Sequence, residues 1–294
     1  MDSGDSAVLA AVLAGAGSVE ADSAAADSAA LAAGSPEAAA LQGAFNGGIM
    51  EKRNEHMKKV ADEFLQDVKS CFGENLQSVI LYGPAARDEN APGRFSIHFL
   101  VVVRDNTPSA LAPCSVFVKR WAKNRIGVPL FLTQEYIRDS LDTFPLEFME
   151  MKSSYQVIFG EDVLGNITFQ VCDVRSECER EIKGKLLHLR AEYLLHRGDR
   201  KGLIDLIHRS LNTFRLVFAG ALFLKKSAIP EKTAELLKAM SREYGLNEGL
   251  LDTLHGIAHG GKKPDQETDR LFDLYVEELD KLSNALDVFC PTEE

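Results

Sequence analysis

Leu81-Tyr82-Gly83-Pro84-Ala85-Ala86-Arg87, followed by Phe95-Ser96-Ile97-His98-Phe99-Leu100-Val101-Val102, is the stretch whose reading decides the fold of this chain. It grows out of a β-type run, Val79-Ile80-Leu81-Tyr82, which Gly83 and Pro84 close. A loop rich in Asp, Asn, Pro and Gly follows. Phe95 to Val103 predicts the second strand. It is apolar almost throughout after Ser96 and His98, as expected of a strand buried in the middle of a sheet.

Upstream, Met57, Val60, Phe64, Val68 and Cys71 recur at three- and four-residue spacing and predict a helix that stops at Gly73. Downstream, the pattern predicts a helix through Lys119 and Trp121, a strand Val128 to Leu132, and a helix holding Tyr136 and Leu141. Two further extended runs are expected, Phe144 to Met151 and Tyr155 to Phe159. Strands alternating with helices point to an α/β sheet. After about residue 173 the β signals vanish. Helices are predicted over 174–197, 200–226, 231–244, 247–259 and 266–289, punctuated by Gly198, Pro230, Gly245 and the Gly260 to Pro264 loop. The expected fold class is therefore α/β (α+β) with a mixed sheet, followed by an all-α helical bundle.

The 294 residues are enough for two ordinary domains, with boundaries expected at 50–172 and 173–294. Residues 1–49 consist mostly of Ala, Ser, Gly and Asp, and have too little large apolar surface to offset the entropy of ordering. They predict a disordered or loosely helical tail. The abrupt change at Met50 is also what a misassigned start would produce. Six acids and no Lys or Arg lie in that tail, so −5 of the net −11 is left for the remainder. A mildly acidic body argues against broad nucleic-acid binding, which needs a basic face. The longest strongly apolar run, Leu216 to Leu224, is closed by Arg215 and Lys225, and reads as a buried helix and not as a membrane span. Five scattered cysteines without a Cys-x-x-Cys pair indicate neither a zinc site nor a disulfide framework, and fit a reducing cytoplasm.

The Gly83-Pro84 turn and the Ser96-x-His98 strand resemble the signature of the nucleotidyltransferase superfamily. In that family a strand ends in Gly-Ser, and a second strand carries Asp-x-Asp; a third carboxylate lies on a neighbouring strand. Eleven residues separate Pro84 from Ser96, which fits that spacing. The predicted bundle is similar to the helical domain of kanamycin-type relatives. The resemblance implies a nucleotide site at Gly83, Pro84 and Arg87, with Ser96 and His98 at the two carboxylate positions and Glu147 at the third. It also implies Mg²⁺ with a nucleoside triphosphate if the chain is active.

The physics of the signature shows what has changed. Phosphoryl transfer rests on positioning and charge neutralisation by divalent metal, and Mg²⁺ takes hard oxygen ligands. Residues i and i+2 of a strand share a face, yet Ser96 and His98 are not carboxylates. Pro84 lacks both the hydroxyl and the N–H of the family's Ser. No metal site is expected, and Glu147 is expected to face His98 and hydrogen-bond it. The function expected is that of a nucleotidyltransferase-like pseudoenzyme, or strongly altered enzyme, binding a nucleotide or small molecule between sheet and bundle. Alternatives are an active enzyme using Glu147 with Asp88 or Glu89, and a scaffold that binds a protein partner, or a second copy, through the bundle.

Weaker signals have plainer readings. Gly256 to Lys262 has P-loop spacing but lacks the Ser or Thr and the preceding strand, and reads as a helix terminus before Pro264. His255 and His259 have metal-ligand spacing without a third ligand. Arg190 and His196 echo an Arg-to-His motif of helical ribonucleases, by coincidence. Arg175 to Arg190 reads as a solvated face with i,i+4 ion pairs. Lys119, Arg120, Lys123 and Arg125 around Trp121 form the most basic patch.

Overall fold

The computed structural model describes residues 57–86, 97–258 and 268–289, with Glu55. Expectations for the 1–49 tail, Arg87, Asp88, Glu89, Ser96, His259 and the 260–264 loop lie outside the described residues. Among those described, the chain divides into two compact units, one drawn from Ser18–Ile137 and Ser154–Asn166, the other from Arg138–Ser153 and Ile167–Glu294.

The α/β unit holds a four-stranded mixed sheet in the order β3-β2-β1-β4. Its strands are β1 (Leu76–Tyr82), β2 (His98–Val103), β3 (Leu130–Leu132) and β4 (Tyr155–Gly160). β1 runs antiparallel to both β2 and β4, whereas β2 and β3 are parallel. β2 is an interior strand, and all six of its residues are buried. Its alternate residues serve both faces: Phe99, Val101 and Val103 join the main cluster, and Leu100 and Val102 on the other face are equally inaccessible.

The helix over 57–72 (α1) lays Val60, Phe64, Val68 and Phe72 on that cluster. The Phe64 ring stacks on Phe99 with centroids 4.0 Å apart and meets Trp121 at 5.0 Å. Burying a ring of this size contributes about 2–3 kcal/mol. After the short helix Pro108–Leu111 (α2) comes Val118–Lys123 (α3). The basic patch here is partly structural. Trp121 is buried and donates its indole N–H to Asp67 at 2.9 Å, and Arg120 pairs with the same carboxylate. Gln134–Asp139 is α4.

One expected strand is a helix. Phe144 to Met151 reads as extended because Phe144, Leu146 and Phe148 alternate with other residues, yet Pro145–Ser153 is α5. Pro145 opens it, where a missing N–H costs nothing, and Phe148 N–H closes the first turn on Phe144 O at 3.2 Å. Leu146 and Met149, three apart, belong to the core of the helical unit. The single boundary expected near residue 172 is thereby corrected, since residues 138–153 already belong with the helices.

The helical unit adds five helices to α5, close to the stretches expected. They are α6 (Val171–His196), α7 (Arg200–Leu224), α8 (Thr233–Tyr244), α9 (Glu248–Ala258) and α10 (Thr268–Asp287). Asp199 caps α7 by accepting from Lys201 N–H, and Gly245 ends α8 in the left-handed conformation. α7 is the central member, burying Leu203, Ile207, Phe214 and Phe218 among many others. Gly220 permits the closest approach. A Cβ there would stand 2.4 Å from the Leu146 side chain and 2.5 Å from Cys178 Sγ, so any larger residue would push those side chains aside where α5, α6 and α7 meet. Among the described residues no helix is long and apolar enough to cross a membrane.

Candidate functional site

The turn after β1 and the start of β2 lie side by side in the α/β unit, because the register pairs Tyr82 with His98. Gly83 has φ +75°, a conformation that a side chain resists, which explains glycine at the point where β1 breaks. Gly83–Ala85 then forms a single 3₁₀ turn. Two amides at this turn are already committed. Gly83 N–H donates to Ser154 O at 3.0 Å, Ala86 N–H donates to Gly83 O at 2.9 Å, and Pro84 has none to offer. A phosphate cradle needs amides that point outward and unpaired.

His98 is 9% exposed. Its ring lies 5.8 Å from that of Tyr82, measured between centroids. On its other side is Gly127, where an added Cβ would be 3.2 Å from His98 Nδ1. The wall is built by the turn that ends α3. Arg125 adopts φ 59°, its carbonyl accepts Ile97 N–H at 2.8 Å, and Gly127 N–H then donates to Ile97 O at 3.0 Å. His98 is therefore a seated side chain between an aromatic ring and a glycine. An imidazole there offers nitrogen donors or acceptors in place of an anion.

Glu147 is not on a strand of this sheet. It stands in the first turn of α5, inside the helical unit, and its carboxyl group interacts with that of Glu177. Glu177 itself, expected on a solvated face, is 3% exposed. Its Oε2 accepts Leu146 N–H at 3.0 Å and its Oε1 accepts from Arg180 at 2.9 Å. Burial pushes both carboxyl groups above the ordinary range, Glu177 up to about 8, with the charge of Glu147 as the next cause. The signal for Glu177 was present: it sits beside Val174 and Cys178 of the buried stripe, three residues before an arginine.

The structure thus places His98 beside Gly83 and Pro84, and places Glu147 with Glu177 in the other unit. Gly127 and the Ser154 carbonyl are the members of the first group that sequence reading missed. Among the described residues no three His, Cys, Asp or Glu side chains converge as a metal-ligand set. Of the weaker signals, Arg190 grips both oxygens of Asp280 at 2.7 Å, a structural ion pair. His255 lies on α9, and its partner in the metal spacing, His259, is outside the described residues.

No family model and no curated protein matches the chain. Among solved structures it is similar to the crystal structure of a spectinomycin adenyltransferase from Enterococcus faecialis with ATP and spectinomycin. The TM-score is 0.45 at 11% identity, over 78% of this chain and 98% of that one. The fold class rests on the sheet and helices described above.

Proposed function

We propose that this chain is a nucleotidyltransferase-like protein that has lost, or strongly altered, metal-dependent transfer, and that it binds a nucleotide or another small molecule. The ligand would meet the end of the sheet where β1 stops and β2 starts. The observation that carries this reading is the seat of His98: the second carboxylate position of the resemblance holds an imidazole, wedged between Tyr82 and Gly127. The neighbouring turn supports it, since Gly83 and Ala86 spend their amides internally. A neutral imidazole serves soft or borderline metals better than Mg²⁺. Recognition then falls to ring faces and single hydrogen bonds, not to a bridged phosphate.

Calorimetric titration with ATP, GTP, CTP and UTP, each with and without Mg²⁺ or Mn²⁺, tests this. The expected result is an isotherm that the metal leaves unchanged and no pyrophosphate release. Micromolar binding that requires the metal, with pyrophosphate released, would restore the reading of an active transferase. Absence of any nucleotide binding, with a stable homodimer in sedimentation, would favour a scaffold built on the helices.

A further inference from the structure

Residues 106–134 of the α/β unit include four bases, Lys119, Arg120, Lys123 and Arg125, and no Asp or Glu, in a chain whose net charge is −11. Lys119 and Lys123 lie one helical turn apart on α3, and Arg125 stands in the turn that ends it. Asp67 of α1 answers Arg120 while it also accepts from Trp121. Lys119, Lys123 and Arg125 are exposed, and among the described residues none of the three enters an ion pair. Beside them Val116 and Val128 are 74% exposed and Val118 39%. Aliphatic side chains bordered by unanswered cations suit an acidic segment that carries small apolar side chains of its own.

The chain itself contains such a segment. Residues 1–49 hold six acids and no Lys or Arg, and four of the acids, Glu20, Asp22, Asp27 and Glu37, fall within residues 20–37 among alanines and Leu31. We propose that residues 20–37 dock on the α3 face of their own chain. Their carboxylates would answer Lys119, Lys123 and Arg125, and their aliphatic side chains would cover Val116 and Val118.

The path of the chain favours this occupant over a separate partner. α1 starts at Met57, and its Asp67, ten residues on, already holds Arg120, so the start of α1 lies roughly 15 Å along the helix from the patch. The twenty residues from Glu37 to Met57 can span roughly 65 Å when extended, several times that distance. A covalently attached segment meets the patch at an effective concentration on the order of millimolar, so ion pairs that are individually weak on a surface hold it jointly. The docked segment would border the wall of His98, because the turn at Arg125 leads directly into Gly127. The docking itself is independent of whether the site at His98 binds a ligand.

Zero-length carbodiimide coupling of carboxylates to lysine amines in the full chain, mapped by mass spectrometry, tests the proposal. Coupling of Glu20, Asp22, Asp27 or Glu37 to Lys119 and Lys123 is expected at about 0.1 M salt. It should fall by about tenfold at about 1 M, where the screening length drops from about 10 Å to about 3 Å. Asp22→Asn combined with Asp27→Asn, changes outside the folded units, should reduce coupling through Glu20 and Glu37 as well, by severalfold, because the segment then holds less well. In a mixture of ¹⁵N-labelled and unlabelled chains the coupled pairs should come from one chain. Pairs joining labelled to unlabelled chains would overturn the proposal in favour of a second copy. Coupling confined to Lys58 and Lys59, or spread evenly over the lysines of the helical unit, would overturn it outright. Adsorption of the full chain to phosphatidylserine vesicles without coupling at α3 would overturn it too, and assign the face to a membrane surface.

Discussion

Glu177 on α6 and Glu278 on α10 answer the same local need in two places. They are 3% and 5% exposed, and each accepts a backbone N–H from the start of another helix: Leu146 of α5 at 3.0 Å, and Asn247 before α9 at 2.9 Å. Each has a base three residues on, Arg180 and Lys281, bonded to its other oxygen. The difference lies in what the capped helix puts next. α5 follows Leu146 with Glu147, a second carboxyl group, whereas Asn247 is itself a capping residue whose side-chain oxygen accepts Leu250 N–H at 3.0 Å. One buried glutamate thus closes a saturated cap, and the other is left with a competitor for charge.

That contrast can be broken from either side. The largest effect is expected from Glu278→Ala, which takes the acceptor from the Asn247 amide: a loss of about 2–3 kcal/mol in urea unfolding at neutral pH. Gly220→Ala should cost about 1–3 kcal/mol, because its Cβ would collide with Leu146 and Cys178. Amide exchange would assign that loss, rising at Leu146 and staying unchanged at Asn247. The smallest and most telling change is Glu147→Gln. It should be near neutral at pH 5 and stabilise by up to about 1 kcal/mol above pH 8, because burial holds both carboxyl groups above the ordinary range. Equal stability curves for that variant and wild type would erase the distinction between the two glutamates.

Periodicity was a good guide where burial is one-sided or where punctuation is strong. Gly198 and Gly245 ended the predicted helices near their observed termini, and the apolar run of β2 announced an interior strand. α5 escaped because its fate depends on Glu177, thirty-one residues later, which supplies the acceptor for its first free amide. Pro145, at the position that tolerates a missing N–H, was the one local clue. The site shows the same division. The spacing of Gly83 and His98 was legible because both lie on adjoining strands. The Gly127 wall was not, since it depends on the turn at Arg125 returning the chain to Ile97. Glu147 shares the fate of α5: the two-residue alternation of bulky side chains around it reads as a pleat, whereas the chain there is helical.

The route of the backbone has a bearing on how this protein can change over generations. Residues 138–153 leave the α/β unit between β3 and β4, contribute Leu146 and Met149 to the helical core, and return before Ser154. A recombination event that swapped everything after Ile167 would separate α5 from the glycine and the glutamate that receive it. The newcomer bundle would have to accommodate a foreign helix, and the remaining fragment would display two bare apolar side chains to water. The halves of this molecule are therefore expected to be inherited together, with Gly220, Glu177 and the 138–153 excursion varying as one set.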